Sequence, residues 1–400
     1  MRISQLALAF GFLAILGVVA LGIWLGSRML TQGSEGARTA LQGFTSFLPY
    51  GQPVPGESII GTGAEIQEEP IVRMRRVSDA PVAGAAFFEE NGRPILRFVE
   101  RETGHIYDAS PANKTLVRRS NTTIPAVMNA FFLNATSTLM RVYETPDSVR
   151  TILGTLGTTT EEDATLATTN FTDYASIAVQ NGSIVGIRRT TQGAEVDLLS
   201  GGRIPGRTVT RTSLTSWIPA LAGASVYLTA SPSGTALGSS YAVSRSGLVR
   251  IIGPLPGLEI LPSDTGKTLL ASEGGANRAV LGTVTNVDSF VPLPFETFIE
   301  KCVWASKSDV LVICAIPKSL PVGIYPDAWK LGEITTADEF WSVDLETGAT
   351  IRIADPETEG VGVLDAHQLT TDPTNQYLAF INRTDMSLWI LSLETPETGE

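Results

Sequence analysis

Histidine is the side chain that most often moves protons near neutral pH, and this 400-residue sequence contains only two, His105 and His367. His105 directly follows Gly104 in a strand–turn–strand pattern whose other copies carry Ala or Leu there, so it is expected to be an ordinary strand residue. His367 stands two residues after Asp365, a carboxylate able to orient its ring. No Gly-x-Ser-x-Gly motif accompanies either histidine. We therefore expect no catalytic residue.

Metal and cofactor motifs are equally sparse. Cys302 and Cys314 lie twelve residues apart, without a CxxC motif or a histidine pair, so zinc spacing is not met. No EF-hand pattern occurs. Residues 266–268, GKT, resemble the end of a phosphate-binding loop, but Leu261 stands where its first glycine is required. The sequence thus predicts no resident metal and no cofactor.

The two cysteines fall in a predicted β-hairpin. Around a turn centred on Ser308, Cys302 faces Cys314 directly across the ladder. Cross-strand Cβ atoms are about 4.5–5.5 Å apart, slightly wider than the roughly 3.5–4.5 Å of a disulfide, and the closer type of pair accommodates the bond. Two interpretations remain: a cross-strand disulfide, favoured outside the cytoplasm, and two small buried apolar residues.

A long insert, residues 318–338, follows this hairpin and is the most distinctive stretch of the chain. It contains two prolines and two aromatic residues, with Tyr325, Pro326, Asp327 and Trp329 close together. Ordered loops on rigid scaffolds are where binding groups concentrate. The four residues are therefore a candidate partner-binding site, in which the aromatics anchor a protein. The alternative is that they pack the loop onto the domain.

The chain termini and charge set the cellular context. Residues 1–28 carry no charge from Ile3 to Ser27, enough for a helix to cross a bilayer. A secretory signal is the rival, but the apolar run is long and ends without a small-x-small cleavage site. We expect a retained single-pass membrane anchor. The net charge of −12 argues against a nucleic-acid partner, since phosphate binding needs a basic face.

Residues 29–80 are rich in Gly, Pro and Ser and show no sustained periodicity, which predicts a stalk or linker. A short N-terminus before a large C-terminal domain usually leaves the N-terminus inside the cell. The anionic body and the potential disulfide agree with this orientation. The C-terminal domain is therefore expected to be extracytoplasmic.

Residues 81–397 read as an all-β domain built from repeats. Apolar runs that open a unit begin near seven positions, 41–49 residues apart except for the last: Val82, Ile124, Asp173, Ser216, Ile260, Lys301 and Ala366. A glycine follows a small polar turn in several units, at Gly104, Gly193, Gly247 and Gly348. Such a period predicts a β-propeller of about seven blades, between six and eight.

Two segments of this domain allow a family comparison. Residues 370–394, TTDPTNQYLAFINRTDMSLWILSLE, and residues 261–273, LPSDTGKTLLASE, resemble the WD40-like repeat of TolB-type bacterial propellers, with a polar turn before an apolar strand. Residues 301–317 with the following insert resemble uncharacterised membrane-anchored bacterial propellers. The resemblance implies a scaffold fold.

We therefore expect a non-enzymatic protein-binding or scaffolding module of the cell envelope. Its protein partner is unidentified by the sequence. The alternative is a propeller lyase or hydrolase that acts on glycans or peptides through carboxylates near the central channel. A small-ligand or ion sensor is a third class.

Overall fold

In the part of the chain that the structure describes, the strands form seven antiparallel sheets arranged as a seven-bladed β-propeller. The computed structural model describes residues 72–145, 148–157, 164–200, 206–230 and 232–394. Within these ranges no helix has the length and apolar character needed to span a bilayer. The predicted anchor, residues 1–28, and all but the end of the predicted linker lie outside them.

Each blade has four strands in sequence order from the channel outward, except blade 7. Blade 1 contains β2 (Val82–Glu90), β3 (Arg93–Glu100), β4 (Ile106–Ala109) and β5 (Leu116–Arg118). Blade 2 contains β6 (Val127–Phe132), β7 (Ser137–Thr145), β8 (Ser148–Thr155) and β9 (Ala167–Asn170). Blade 3 contains β10 (Ser176–Gln180), β11 (Ser183–Thr190), β12 (Gly193–Leu199) and β13 (Arg207–Thr212). Blades 4 and 5 contain β14 (Trp217–Ala222), β15 (Ser225–Ala230), β16 (Leu237–Ser244) and β17 (Gly247–Pro256); and β18 (Ile260–Pro262), β19 (Leu269–Ala276), β20 (Arg278–Asn286) and β21 (Ser289–Glu296).

Blades 6 and 7 complete the ring. Blade 6 contains β22 (Cys302–Trp304), β23 (Leu311–Pro317), β25 (Asp338–Asp344) and β26 (Thr350–Ala354), and blade 7 contains β27 (Ala366–Thr371), β28 (Tyr377–Asn382), β29 (Leu388–Ser392) and, as its outermost strand, β1 (Met74–Ser78). The insert of blade 6 adds β24 (Ile324–Tyr325) and a single helical turn, α1 (Asp327–Lys330). A 3-10 turn (Ile299–Lys301) precedes β22.

The ring is closed by its two ends. Strand β1 pairs with β29, with Met74 opposite Leu391, so the first strand of the domain completes the last blade. The sequence assigns residues 74–78 to the linker that ends at residue 80, and this boundary is wrong. The segment MRRVS lacks the flanking turn signals and the clear alternation by which strands are recognised in a sequence. No hairpin joins it to its partner β29, which lies at the other end of the domain.

The predicted unit starts are confirmed, since each lies within three residues of the first strand of a blade. The turn glycines do take positive φ, with values of 70, 136, 117 and 74° at Gly104, Gly193, Gly247 and Gly348. They do not mark one position in the repeat, however. The first two lie between the second and third strands of a blade, and the other two between the third and fourth.

The hydrophobic core lies between adjacent blades. At the junction of blades 6 and 7, for example, the rings of Phe340 and Phe380 are 4.7 Å apart, and Met74 and Leu391 pack into the same cluster. The first strands of neighbouring blades contact one another, as β2 does β6 and β10 does β14. These strands therefore surround the central channel. Second-to-third-strand loops and the blade-to-blade connections share one face, which we call the insert face.

The closure by β1 yields a stability prediction. Met74 is 1% exposed, whereas Val72, two residues earlier, is 58% exposed. Met74→Ala should lower the free energy of unfolding by about 2–4 kcal/mol, because it opens a cavity in the blade 7 core. Val72→Ala is the matched control and should change it by less than about 0.5 kcal/mol. Urea unfolding measures both values, and equal small effects would mean that β1 does not close the ring in solution.

Candidate functional site

The insert of blade 6 leaves its own blade and lies across blades 5 and 4 on the insert face. Strand β24 pairs with the end of β19, with Tyr325 opposite Gly275. Two residues later, Oδ2 of Asp327 accepts a hydrogen bond of 2.6 Å from the backbone N–H of Gly234 in blade 4. A side chain at Gly234 would collide with the carbonyl oxygen of Tyr325, so the glycine permits this close approach. The insert is thus tied to two blades besides its own.

The two aromatic residues of the insert are buried within the protein. Tyr325 is 0% exposed and Trp329 is 3% exposed. The indole of Trp329 stacks on Phe298, with ring centroids 4.9 Å apart, and the guanidinium of Arg383 lies 4.8 Å from the Trp329 ring centroid. Pro326 is buried as well, and Asp327 is half-buried. This burial favours the packing alternative for the aromatics over direct contact with a partner.

Beneath Trp329 lies a fully buried ion cluster around Lys301. The Nζ atom of Lys301 donates to Oδ2 of Asp338 and Oδ1 of Asp365, both at 2.6 Å, and to Oγ1 of Thr336 at 2.9 Å. The indole N–H of Trp329 donates to the same Asp365 carboxylate at 3.0 Å. A buried ammonium is tolerated only when paired and hydrogen-bonded in this way. The cluster joins blade 6, the insert and blade 7.

The two carboxylates respond differently to this shared burial. Burial raises the pKa of Asp338 despite the adjacent Lys301 ammonium. Burial also acts upward on Asp365, but the Lys301 charge and the hydrogen bonds from Trp329 and Thr336 hold the pKa of Asp365 below its usual range. Of the two carboxylates, Asp365 is therefore the one whose ionised form its surroundings stabilise more.

A second cluster connects the insert to blades 5 and 6. Nζ of Lys330 lies 2.5 Å from Oε1 of Glu259 and 2.6 Å from Oε1 of Glu300. Burial raises the pKa of Glu259 to about 8, and the negative charge of Glu300 acts in the same direction. Lys330 overcomes the effect of burial on Glu300 and holds the pKa of that carboxyl below its usual range. At neutral pH, Glu259 thus carries a proton and Glu300 is ionised.

His367 lies at the edge of these clusters and does not form a catalytic pair with Asp365. The Asp365 carboxylate is engaged by Lys301, Trp329 and Thr336, and Nε2 of His367 has no hydrogen-bond partner among the described residues. Burial lowers the pKa of His367 to about 4, and the Lys301 and Arg383 charges add to this effect. The ring is neutral at pH 7 and is too weak a base for proton abstraction near neutrality.

The cysteine hairpin has the register that the sequence predicts. Cys302 is the ladder partner of Cys314, and their Sγ atoms are 2.10 Å apart, joined as a disulfide. Cys302 is 6% exposed and Cys314 is 0% exposed. The pair therefore belongs to the core between blades 5 and 6, together with Leu270 and Leu281.

The insert exposes three large aliphatic side chains to solvent. Val322, Ile324 and Leu331 line a groove of about 610 Å³ between the insert and the loops of blades 4 and 5. We call it the insert groove; its lining residues are Thr235, Ala276, Asn277, Val322, Gly323, Ile324, Asp327, Ala328, Leu331 and Glu333. Of the four residues that the sequence singles out, only Asp327 lines it.

The central channel offers a second concave surface. A cleft of about 380 Å³ lies between the first strands of blades 7, 1, 2 and 3. Its lining residues are Ala83, Gly84, Ala85, Ala86, Asn129, Ala130, Phe131, Phe132, Val179, Gln368, Leu369 and Thr370. None of them is charged. No group of three or more His, Cys, Asp or Glu side chains arranged to hold a metal occurs in the described part of the chain.

Sequence reasoning misses the ion clusters and the groove. Lys301 is 37 residues from Asp338 and 64 from Asp365, so no local spacing joins them. One signal was available. Lys301 and Asp365 each stand immediately before the first strand of a blade, where the ring brings the blade-to-blade connections together.

The raised pKa of Glu259 predicts a pH dependence of stability. Its ordinary value is 4.5, and the folded value is about 8. Between these values the unfolded chain has lost the proton while the folded protein keeps it, so stability falls as pH rises. Glu259→Gln mimics the protonated form. The unfolding free energy of Glu259→Gln should therefore fall less than that of the wild type between pH 5 and pH 8, by at most about 4 kcal/mol.

Denaturant unfolding at several pH values measures the slope. Glu273→Gln is the control, because Glu273 lies in the same blade and pairs with the half-exposed Arg278 at 2.9 Å. This control should keep the wild-type slope. A Glu259→Gln variant with the wild-type slope would show that Glu259 is ionised in the folded protein.

Comparison with known proteins identifies the fold and no family. No protein-family model matches the sequence, and no curated protein matches it. The structure is similar to the tricorn protease, with a TM-score of 0.50 and 9% identity over 82% of this chain and 35% of that one. It is also similar to oligogalacturonate lyase from Vibrio parahaemolyticus, with a TM-score of 0.52 and 11% identity over 83% of this chain and 96% of that one. The chain spans about a third of the tricorn protease. At such identities the likeness is one of fold, and the chain is a seven-bladed β-propeller.

Proposed function

We propose that this protein is a membrane-anchored, extracytoplasmic β-propeller that binds a protein partner through the insert groove and serves as a non-enzymatic scaffold of the cell envelope. The proposal includes a relationship to the TolB-type propellers, whose WD40-like repeat residues 261–273 and 370–394 resemble. It also includes the anchor at residues 1–28 and an orientation that places the propeller outside the cytoplasm.

The observation that carries this proposal is the exposure of three aliphatic side chains on a tightly held insert. Val322 is 88% exposed, Leu331 is 73% exposed and Ile324 is 43% exposed. Their backbone is fixed by the buried Tyr325 and Trp329. A preorganised apolar surface loses little conformational entropy on binding, which is the condition for a partner site.

The charge of the groove defines the partner. Asp327 and Glu333 line it, and no Lys or Arg does. The whole chain carries a net charge of −12. We infer a partner segment with aliphatic side chains, for the exposed Val322, Ile324 and Leu331, and with at least one Lys or Arg, for the carboxylates.

The enzyme alternative has less support. The Glu259 carboxyl borders a cavity of about 10 Å³, room for about one water molecule and no substrate. The channel cleft has no carboxylate among its lining residues. The residues of this cleft thus supply no carboxylate as a general acid, base or nucleophile.

Crosslinking tests the partner site. With a photoreactive amino acid at Val322, the full chain in its native membrane should form one specific adduct. Mass spectrometry of the adduct should place the crosslink in an aliphatic segment that contains Lys or Arg. Leu331→Asp should weaken binding of a synthetic peptide of that segment at least about tenfold, the effect of losing one buried apolar anchor.

Ile351→Asp is the matched control. Ile351 is 65% exposed on β26, the outer strand of the same blade, and this substitution should leave peptide binding unchanged. Adducts only to lipid, only to a second copy of this chain, or to many unrelated proteins would contradict the proposed partner.

The proposed location outside the cytoplasm makes a separate prediction for the cysteines. In protein denatured directly from cells, Cys302 and Cys314 should resist a thiol reagent, because an oxidising compartment preserves the disulfide. After addition of a reductant, both should be labelled. Mass spectrometry counts the modified thiols. Labelling of both cysteines before reduction would contradict the extracytoplasmic location while leaving the groove proposal intact.

A further inference from the structure

One residue of the channel has an unusual backbone. Gln368 has a φ of 50°, in the left-handed region that side chains with a Cβ atom seldom adopt. Among the described non-glycine residues with positive φ, it is the only one inside a strand, since the others lie in turns and connections. The pairing of β27 with β28 shifts register between His367 and Thr370. Gln368 is therefore part of a β-bulge in the first strand of blade 7.

The bulge occurs at the channel cleft. Gln368, Leu369 and Thr370 form its blade 7 wall, and Asn129 with neighbouring residues forms its blade 2 wall. Gln368 is exposed to solvent, although it lies on an innermost strand. A strained backbone persists only where surrounding structure over-determines it, and such sites are concentrated at binding surfaces. The strain and the cleft are two independent observations at one place.

The chemistry of the lining selects a class of ligand. The polar side chains are the amides of Asn129 and Gln368 and the hydroxyl of Thr370, and no lining residue is charged. The first strands of blades 7, 1, 2 and 3 each pair on one side only, so their other edges supply further backbone donors and acceptors. Phe131 and Phe132 are only partly buried and add aromatic surface. The cleft can thus form many neutral hydrogen bonds beside apolar walls.

We propose that the channel cleft binds a neutral saccharide of one or two rings. Such a ligand carries many hydroxyl groups around a ring with apolar faces, which matches neutral amides, strand edges and phenyl rings. The cleft volume of about 380 Å³ is at the lower end of the range of small-molecule sites, about 300–1,000 Å³. Acidic sugars are not favoured, because no Lys or Arg lines the cleft to pair with a carboxylate. This site is separate from the insert groove and does not depend on partner binding.

The test uses the full chain in detergent and a panel of defined sugars. Glucose, N-acetylglucosamine and maltose are the neutral probes, and galacturonate is the acidic one. Saturation-transfer NMR and titration calorimetry should detect at least one neutral probe at millimolar concentration and should not detect galacturonate. Gln368→Gly should weaken that binding about tenfold, since it removes one hydrogen-bonding amide.

The same substitution reports on folding. Glycine adopts positive φ without steric cost, so Gln368→Gly should keep or raise the melting temperature, and lost binding would not reflect misfolding. Asn91→Gly is the matched control. Asn91 has a φ of 53° in the turn between β2 and β3, outside the cleft, and its replacement should leave sugar binding unchanged. Absence of binding by every neutral sugar, equal binding of galacturonate, or unchanged binding by Gln368→Gly would each overturn the proposal.

Discussion

The burial of the Lys301 ammonium is the constraint on which the insert face depends. The side chain is fully excluded from solvent, so its charge must be neutralised by groups that come to it. Asp338 comes from the end of the insert, and Asp365 comes from the connection into blade 7. Trp329 completes the arrangement by donating to Asp365 and by placing its ring 5.0 Å from the Lys301 ammonium. Removal of the cation would leave buried carboxylates in contact without a counter-charge, which costs about 3–5 kcal/mol.

This electrostatic requirement explains why a loop of some twenty residues can be ordered while exposing aliphatic side chains. The conformational entropy lost when the insert becomes ordered is offset by the burial of Tyr325 and Trp329. The contacts of Lys330 with Glu259 and Glu300 add to this. These contacts lie on the side of the insert that faces the blades. On its outward side Val322 and Leu331 meet solvent.

Local patterns of the sequence predict the propeller, and they fail where contacts are distant in the chain. Hairpins such as residues 302–314 are fixed by neighbouring residues, so their register and the blade starts follow from alternation and turn chemistry. The turn glycines show a limit of this local prediction. They take positive φ in hairpins between different pairs of strands, so they mark a turn without marking its place in the blade. Strand β1 and the Lys301 cluster depend on partners that only closure of the ring brings together. The sequence identifies the aromatic residues of the insert as candidate anchors. Whether they pack against the protein itself or bind a partner depends on the residues they contact in the folded protein, which are distant in sequence.

The two candidate sites lie over different blades of the propeller, and both involve residues at the start of blade 7. The insert reaches blades 4, 5 and 7 from blade 6, whereas the channel cleft lies among blades 7, 1, 2 and 3. Both depend on the entrance to blade 7, since Asp365 holds the insert and Gln368, three residues later, forms the bulge at the cleft. His367 lies between them with its ring 6.5 Å from that of Trp329. The backbone of the bulge and the carboxylate that positions the insert therefore lie within three residues of each other at the start of blade 7.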